Sequence, residues 1–444
     1  MPVIALQTVA HRAWGGLAVS ILFVLIGCSR PAPENQLTLW SSTNSFEIAF
    51  TRHIVMEWNS DTTRLPIKFQ PIPAGQSSEE VILAAIVGRT TPDIYTNIWP
   101  GVIEQYREAG VVVALSEFAD FDSVYASRVP PPLWEEFTSP DGKVYQMPWK
   151  ANPLMLFYNG ALLREAGVEK LPGTYAEFLA LAPKLVIDKN GDGHYDQWLL
   201  DPNILPEWWQ RFFDFYTFFI AATGGDTMFR DGEVYLDRPE TLEVLSFFSE
   251  AYEKGYFPRS IFQEDIFIAN KLAFHVSGPW LLPHLRRFRP DDYQVFGVTT
   301  LPRPAANDGP VYTYGDPKNV VIFSTTRYPD QAWEFVKFMT NRANDLKLLE
   351  MTDQLPLRDG LRNDDLFRPY FDAKPDMRIF ADQIPYIVST DHSIYLQEIF
   401  DIISQEFDAA SIHNAKSPQE GMADMQRRIS ALVEREKYSS REDN

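Results

Sequence analysis

Residues 145–185 read YQMPWKANPLMLFYNGALLREAGVEKLPGTYAEFLALAPKL. The end of this stretch carries a helix start. Thr174 stands before YAEFLALAPKL with Glu177 three residues on, the spacing at which a hydroxyl and a carboxylate each satisfy a free backbone N–H. Outward from it, strand-like and helix-like segments alternate. LTLWS (37–41) reads as a short strand and PDIYTNI (92–98) as a buried one. Between them Ser77-Ser78-Glu79-Glu80 sets a second capping box ahead of Val81–Val87, with Gly88 as the stop. PDQAWEFVKFMT (329–340) places Ala332, Phe335, Val336 and Met339 on one helical face. Ser417-Pro418-Gln419-Glu420 starts a last helix, with Met422, Met425, Ile429, Leu432 and Val433 facing inward. Alternation of this kind predicts an α/β architecture. No internal repeat or low-complexity tract interrupts it, and RVPPPLW (128–134) reads as a proline-stiffened loop.

The 444 residues hold one cysteine, Cys28, so neither an intramolecular disulfide nor a thiolate-rich metal site is available. Ahead of it lie His11 and Arg12 and then a mostly apolar run from Ala13 to Ile26, the layout of a secretory signal. That run is shorter than the roughly 20 residues that span a bilayer. Leu25-Ile26-Gly27-Cys28 resembles the lipobox of bacterial lipoproteins. The resemblance implies a signal peptide over 1–27, acyl chains on Cys28 and a short stiff tether over 28–36, with Pro31 and Pro33. The alternative is a plain signal peptide with an incidental thiol. Cleavage before Cys28 removes one arginine and no acid, leaving 39 basic residues against 60 acidic ones and a net −21. A surface so acidic argues against nucleic acid and anionic membrane faces as partners. Aromatic residues reach 14%, with 11 Trp. Most belong in cores, but half-exposed Trp is also how proteins grip sugars, because pyranose C–H faces stack on rings.

Six motifs then line up in one order: PDIYTNIWP, the 145–185 stretch, FHVSGPW, FGVTTLPRP, NVVIFSTTRYPDQAWEFVKFMTN and LPLRDGL. Together, from about residue 37 to 435, they resemble the extracellular solute-binding proteins of ABC importers, in the carbohydrate-binding group around maltodextrin-binding protein. The resemblance implies the periplasmic-binding-protein fold, two α/β lobes joined by crossing strands with a ligand cleft between them. The crossings would fall near Met147–Asn152, Phe296–Leu301 and Met351–Leu355. One lobe would take 37–148 plus 303–350 and the other 150–300 plus 354–440. It further implies a monomer without catalytic activity, lipid-anchored outside the cytoplasm in the periplasm or at the cell surface. Such a protein closes about a saccharide and passes it to permease subunits.

Trp280 matches the family's Gly-Pro-Trp, whose indole stacks on a sugar; the alternative is a core Trp. Trp40 and Trp99 follow strands whose C-terminal ends would open on the cleft. Trp149 lies in the first crossing and Tyr158 just after it, where hinge packing is the competing role. Polar ligand partners would be Ser41, Ser42, Asn44, Asn152, Asp316 and Arg358. Asp316 stands where the family more often has a glycine-rich loop, and Arg358 could instead pair with Asp359.

DKNGDGHYD places Asp188, Asn190, Asp192 and Asp196 at positions 1, 3, 5 and 9 of a calcium loop, but position 12 is Leu199 where a bidentate Glu belongs. Structural calcium is one reading, and a turn built on Asn-Gly and Asp-Gly is the other. No cofactor is required. Gly-x-Ser-x-Gly, His-Glu-x-x-His and phosphate-loop motifs are all missing, and the seven histidines are scattered. With 60 acidic residues a glycosidase pair is not excluded by counting, so a secreted glycan hydrolase or lyase is the runner-up, and an adhesin or sensor subunit a third reading.

Overall fold

LTLWS alternates buried and half-buried positions as strand β1 (Leu37–Ser41). In the computed structural model, which describes residues 35–73, 77–230, 233–306, 308–391 and 393–442, it becomes an inner strand. The signal peptide, Cys28 and most of the tether lie outside the described residues. Strand β1 pairs in parallel with β2 (Ile67–Pro71) and β3 (Ile94–Ile98). Two later segments complete this first sheet, β4 (Met147–Lys150) and β11 (Lys318–Ile322), in the order β2-β1-β3-β11-β4. Four residues after β4 the chain enters a second, antiparallel sheet as β5 (Met155–Asn159). There it lies between β8 (Phe274–Ser277) and β9 (Phe296–Thr299). Two small pairs remain: β6 (Phe229–Arg230) with β7 (Glu233–Val234), and β10 (Thr313–Tyr314) with β12 (Ile387–Val388).

Helices cover both faces of the sheets, so the inner strands are apolar on both sides and their side chains alternate between two cores. On β5, Met155 and Phe157 enter one core while Leu156 and Tyr158 enter the other. On β11 and the residue after it, Val320 and Ile322 take the first side, Val321 and Phe323 the second. The result is two α/β lobes, one on each sheet.

Three segments join them and hydrogen-bond to one another. The Ala151 N–H donates to the Leu355 carbonyl at 3.0 Å and the Leu357 N–H to the Trp149 carbonyl at 2.8 Å. The Asn152 and Leu154 N–H groups donate to the Gly315 and Tyr314 carbonyls at 2.7 and 2.9 Å. The return from β9 to the first sheet therefore runs through β10, later in the chain than Phe296–Leu301.

Helix starts follow the caps. Thr174 and Glu177 form the full reciprocal box, and Ser417 with Glu420 does the same for Pro418–Glu442. Ser77 accepts from the Glu80 N–H at 3.1 Å. Two details differ from expectation. The stop after Ser78–Gly88 is Arg89, which takes the left-handed conformation at φ 52° in place of Gly88. YAEFLALAPKL is also two helices, Tyr175–Leu179 and Ala182–Leu185, because Pro183 has no N–H for the Leu179 carbonyl and its ring crowds that turn.

Candidate functional site

Where the lobes meet, a cavity of about 250 Å³ is walled by six aromatic residues: Trp99, Trp208, Trp209, Phe212, Phe213 and Tyr314. Its polar edge is Ser77, Ser78, Glu79, Asp316 and Lys318. Trp99 enters from the end of β3. Its indole N–H donates to the Tyr314 hydroxyl at 2.9 Å, and its ring lies 5.0 Å from Trp208 and 5.1 Å from Phe212. The ring folds back over Gly101, where any Cβ would collide with it. The opposite wall is EWWQRFF (207–213), whose Trp208–Phe212 turn is 3-10 helix. Arg211, fully buried, anchors that turn by donating to the Asn203 carbonyl at 2.6 Å and pairing with Asp214 and Asp408 at 3.2 Å each.

The edge is electrostatically uneven. Asp316 holds a left-handed backbone at φ 35° between β10 and β11 and accepts from the Lys318 ammonium at 2.9 Å. Burial alone would push Lys318 down; Asp316 and Glu79 outweigh it and the ammonium titrates above its ordinary range. Glu79 sits in the first turn of Ser78–Gly88, where a carboxylate complements the helix dipole. It accepts a hydrogen bond from the Ser78 hydroxyl at 3.2 Å. Burial, and then the Glu79 charge, push the Tyr95 and Tyr106 phenols up. The Tyr95 hydroxyl is buried near Ser78 and Asn97, whose hydrogen bonds oppose that rise.

Beneath the cleft lies a buried polar network. Glu47 receives the Lys150 ammonium at 2.8 Å, the Ser42 hydroxyl at 2.8 Å and the Gln354 amide at 2.7 Å. Burial would raise this carboxyl; Lys150, Gln354 and Ser42 together hold it below its usual range. Asn152 joins through Gln354 at 3.2 Å, so the network ties the helix Ser45–Asn59 to two of the three connecting segments.

The residues singled out in the sequence divide accordingly. Trp99 and Asp316 line the cavity. Trp280 stands at its margin, half-buried, with its ring 6.4 Å from Phe213 and folded over Gly278. Trp40 is half-buried at the end of β1. Ser41 and Ser42 are buried beside it, Ser42 bonded to Glu47, and Asn44 is spent as a helix cap, accepting from Phe46 N–H at 2.9 Å. Tyr158 packs within the second sheet over Gly297.

Two expectations are corrected. Trp149 is fully buried in the core, 6.0 Å from Phe50, and does not reach the cavity. Arg358 faces neither a ligand nor Asp359: with Arg128 it clamps the buried Asp345, which receives Arg128 at 2.7 Å. The Arg358 donors are spent on Asp345 and on the Ser127 and Thr340 carbonyls, although the three side chains together keep a net positive charge. A larger hollow of about 510 Å³ borders Arg358, but its walls are Pro130, Pro131 and Leu361 with ion-paired side chains, and it holds no aromatic ring.

Sequence reasoning missed Glu79, Lys318 and the 207–213 wall. The signal for the wall was present: four aromatic rings within six residues are more than one helical face buries.

In 188–196 the carboxylates and amides serve the loop itself. Asp188 accepts from the Gly191 and Gly193 N–H groups at 2.7 and 2.8 Å, and Asp196 from Lys189 N–H at 2.8 Å. A bridge between Ile187 and Gln197 closes the loop. Among the described residues no group of His, Cys, Asp or Glu is arranged to hold a metal, and no helix is long and apolar enough to cross a membrane.

Comparison with known proteins bears on this arrangement. The maltotriose-binding protein of Pyrococcus abyssi is 25% identical over 338 residues, 74% of this chain and 68% of that protein. An uncharacterised protein of Listeria monocytogenes superposes with a TM-score of 0.76 at 25% identity, over 90% of this chain and 100% of its own. The sugar-binding protein MalE of Xanthomonas citri shares the fold at a TM-score of 0.72 and 17% identity, over 91% and 99%. The family model described as bacterial extracellular solute-binding protein matches residues 54–377, which take in all three connections and every strand of the two main sheets except β1. This chain belongs to that family of bacterial extracellular solute-binding proteins.

Proposed function

We propose that the protein captures a saccharide in the aromatic cavity, closes its lobes about it and delivers it to the permease of an ABC importer. The observation that carries this reading is the meeting of aromatic faces from both sides of the cleft, Trp99 against Trp208 and Phe212. A sugar is neutral and well hydrated, and exchanging its water hydrogen bonds for protein ones yields about 0.5–1.5 kcal/mol each. Ring contact with its C–H faces supplies the rest. The relatives named for maltotriose and sugar binding support the same ligand class. In this reading the lobes are 37–148 with about 316–350 and 150–312 with 354–440, since Arg303 bridges to Thr174 in the second lobe, and they turn on the connecting segments around 147–154, 313–315 and 353–357. The chain binds without catalysis and needs no cofactor, with 188–196 as a self-closed turn. Acyl chains on Cys28 hold the monomer outside the cytoplasm.

A glycan panel tests the reading. Members of it should raise the melting temperature saturably without yielding product, and small-angle scattering should show a smaller radius with ligand than without. Turnover of a glycan would replace the transport reading with the hydrolase one, and a panel without any stabilising sugar would remove the saccharide. The Cys28→Ser variant should leave the membrane fraction with its ligand affinity intact.

A further inference from the structure

We infer that the preferred ligand carries a protonated amine, so that the saccharide is an amino sugar bound as a cation; this deepens the saccharide reading and rests on it. The first observation is the charge balance of the cavity edge. Lys318 is paired with Asp316 at 2.9 Å and also feels Glu79, so the edge holds two carboxylates against one cation, and Glu79 is the carboxylate outside the pair. Glu79 is half-buried, makes no ion pair among the described residues, and accepts a hydrogen bond from Ser78. The neighbouring residues 74–76 are Ala, Gly and Gln, and bring no cation.

The second observation is the wall. Six aromatic residues surround the same space, and the faces of Trp and Tyr rings attract a cation through their quadrupole, most strongly where water is excluded. A neutral pyranose uses these faces for C–H contact only. A ring bearing –NH3+ uses them twice, and offers Glu79 a charge-assisted partner in place of a hydroxyl.

The field inside the cleft points the same way. Lys318, Tyr95, Tyr106 and Tyr314 come from separate elements, and for each of them Glu79 favours the protonated form. Over longer range, a net formal charge of −20 draws cations toward the protein.

The test is calorimetric titration of the full mature chain with matched pairs: glucose and glucosamine, galactose and galactosamine, mannose and mannosamine, diacetylchitobiose and its deacetylated diamine. At least one amine should bind ten-fold or more tightly than its uncharged counterpart. In Glu79→Gln that amine should lose more affinity than the counterpart does, with the melting temperature recording that the variant is folded. Uncharged members that bind, with no amine exceeding its partner, would overturn the charge inference and leave the saccharide reading standing. Preference for an amine that survives Glu79→Gln would overturn the assignment to this carboxylate. Binding of no member of either kind would overturn both readings together.

Discussion

Two tryptophans in the same chain serve opposite ends, and burial decides which does what. Trp209 is half-buried on the cavity wall; Trp149 is fully enclosed beside Phe50. Truncating a well-packed aromatic anchor at a binding site typically costs about 2–4 kcal/mol, roughly thirty-fold or more in dissociation constant. Trp209→Ala should lose that much affinity for a stabilising sugar and keep its melting temperature. Trp149→Ala should do the reverse: a core Trp replaced by Ala costs about 3–5 kcal/mol of stability, while the folded fraction binds normally. Titration paired with a melting curve reads both, and wild-type affinity in Trp209→Ala would take that ring out of the site. Arg358 belongs to the stability side too. Removing it takes one of two guanidiniums from the buried Asp345 while Arg128 still neutralises the carboxylate, so Arg358→Ala should cost less stability than the about 3–5 kcal/mol of a fully broken buried ion pair.

Element boundaries were legible wherever a local group satisfies a local backbone. Thr174 and Glu177 mark a helix because three residues separate two complementary partners, and no distant segment takes part. The 188–196 loop looked equally local but ambiguous, since the same oxygens suit a cation or their own backbone. The hydrogen bonds from Gly191, Gly193 and Lys189 occupy Asp188 and Asp196. Their capture by N–H groups holds Asp188 below the usual carboxylate range, first through Gly193 and against the penalty of burial. A chelator should therefore leave the melting temperature unchanged, and Asp188→Ala should lower it with or without chelator. A fall in melting temperature on chelation, abolished by Asp192→Ala, would restore calcium to the loop.

Across the whole molecule, pH should act through a carboxyl lying between distant segments. Burial raises Glu136 from the usual 4.5 to about 7, against hydrogen bonds from Ser389 that oppose the shift. The folded carboxyl thus keeps its proton up to about pH 7, while the unfolded one releases it near 4.5. Between those values the folded state binds more protons, so this group's contribution to stability is greatest at the acid end and falls as pH rises. The melting temperature of wild type relative to Glu136→Gln should decline from pH 5 to pH 8, and a flat difference would show that Glu136 ionises normally. Tyr216, Tyr314 and Tyr125 feel the same carboxylate, each held protonated chiefly by burial.

The α/β alternation, the helix starts, the strand at LTLWS and the six ordered motifs all stand in the amino-acid sequence, because each depends on residues a few positions apart. Which aromatic rings face the cleft does not stand there. Trp99 meets Trp208 from 109 positions away, and Asp345 claims Arg128 across 217 residues, taking Arg358 with it. Burial of a ring and the pairing of a charge are set by the segments folded against them, and period and spacing along one segment carry no record of those neighbours. The same physics explains why the 207–213 wall and Glu79 were missed while Thr174 was not: a cap closes within one turn of helix, whereas a cleft exists only once two lobes have been brought face to face.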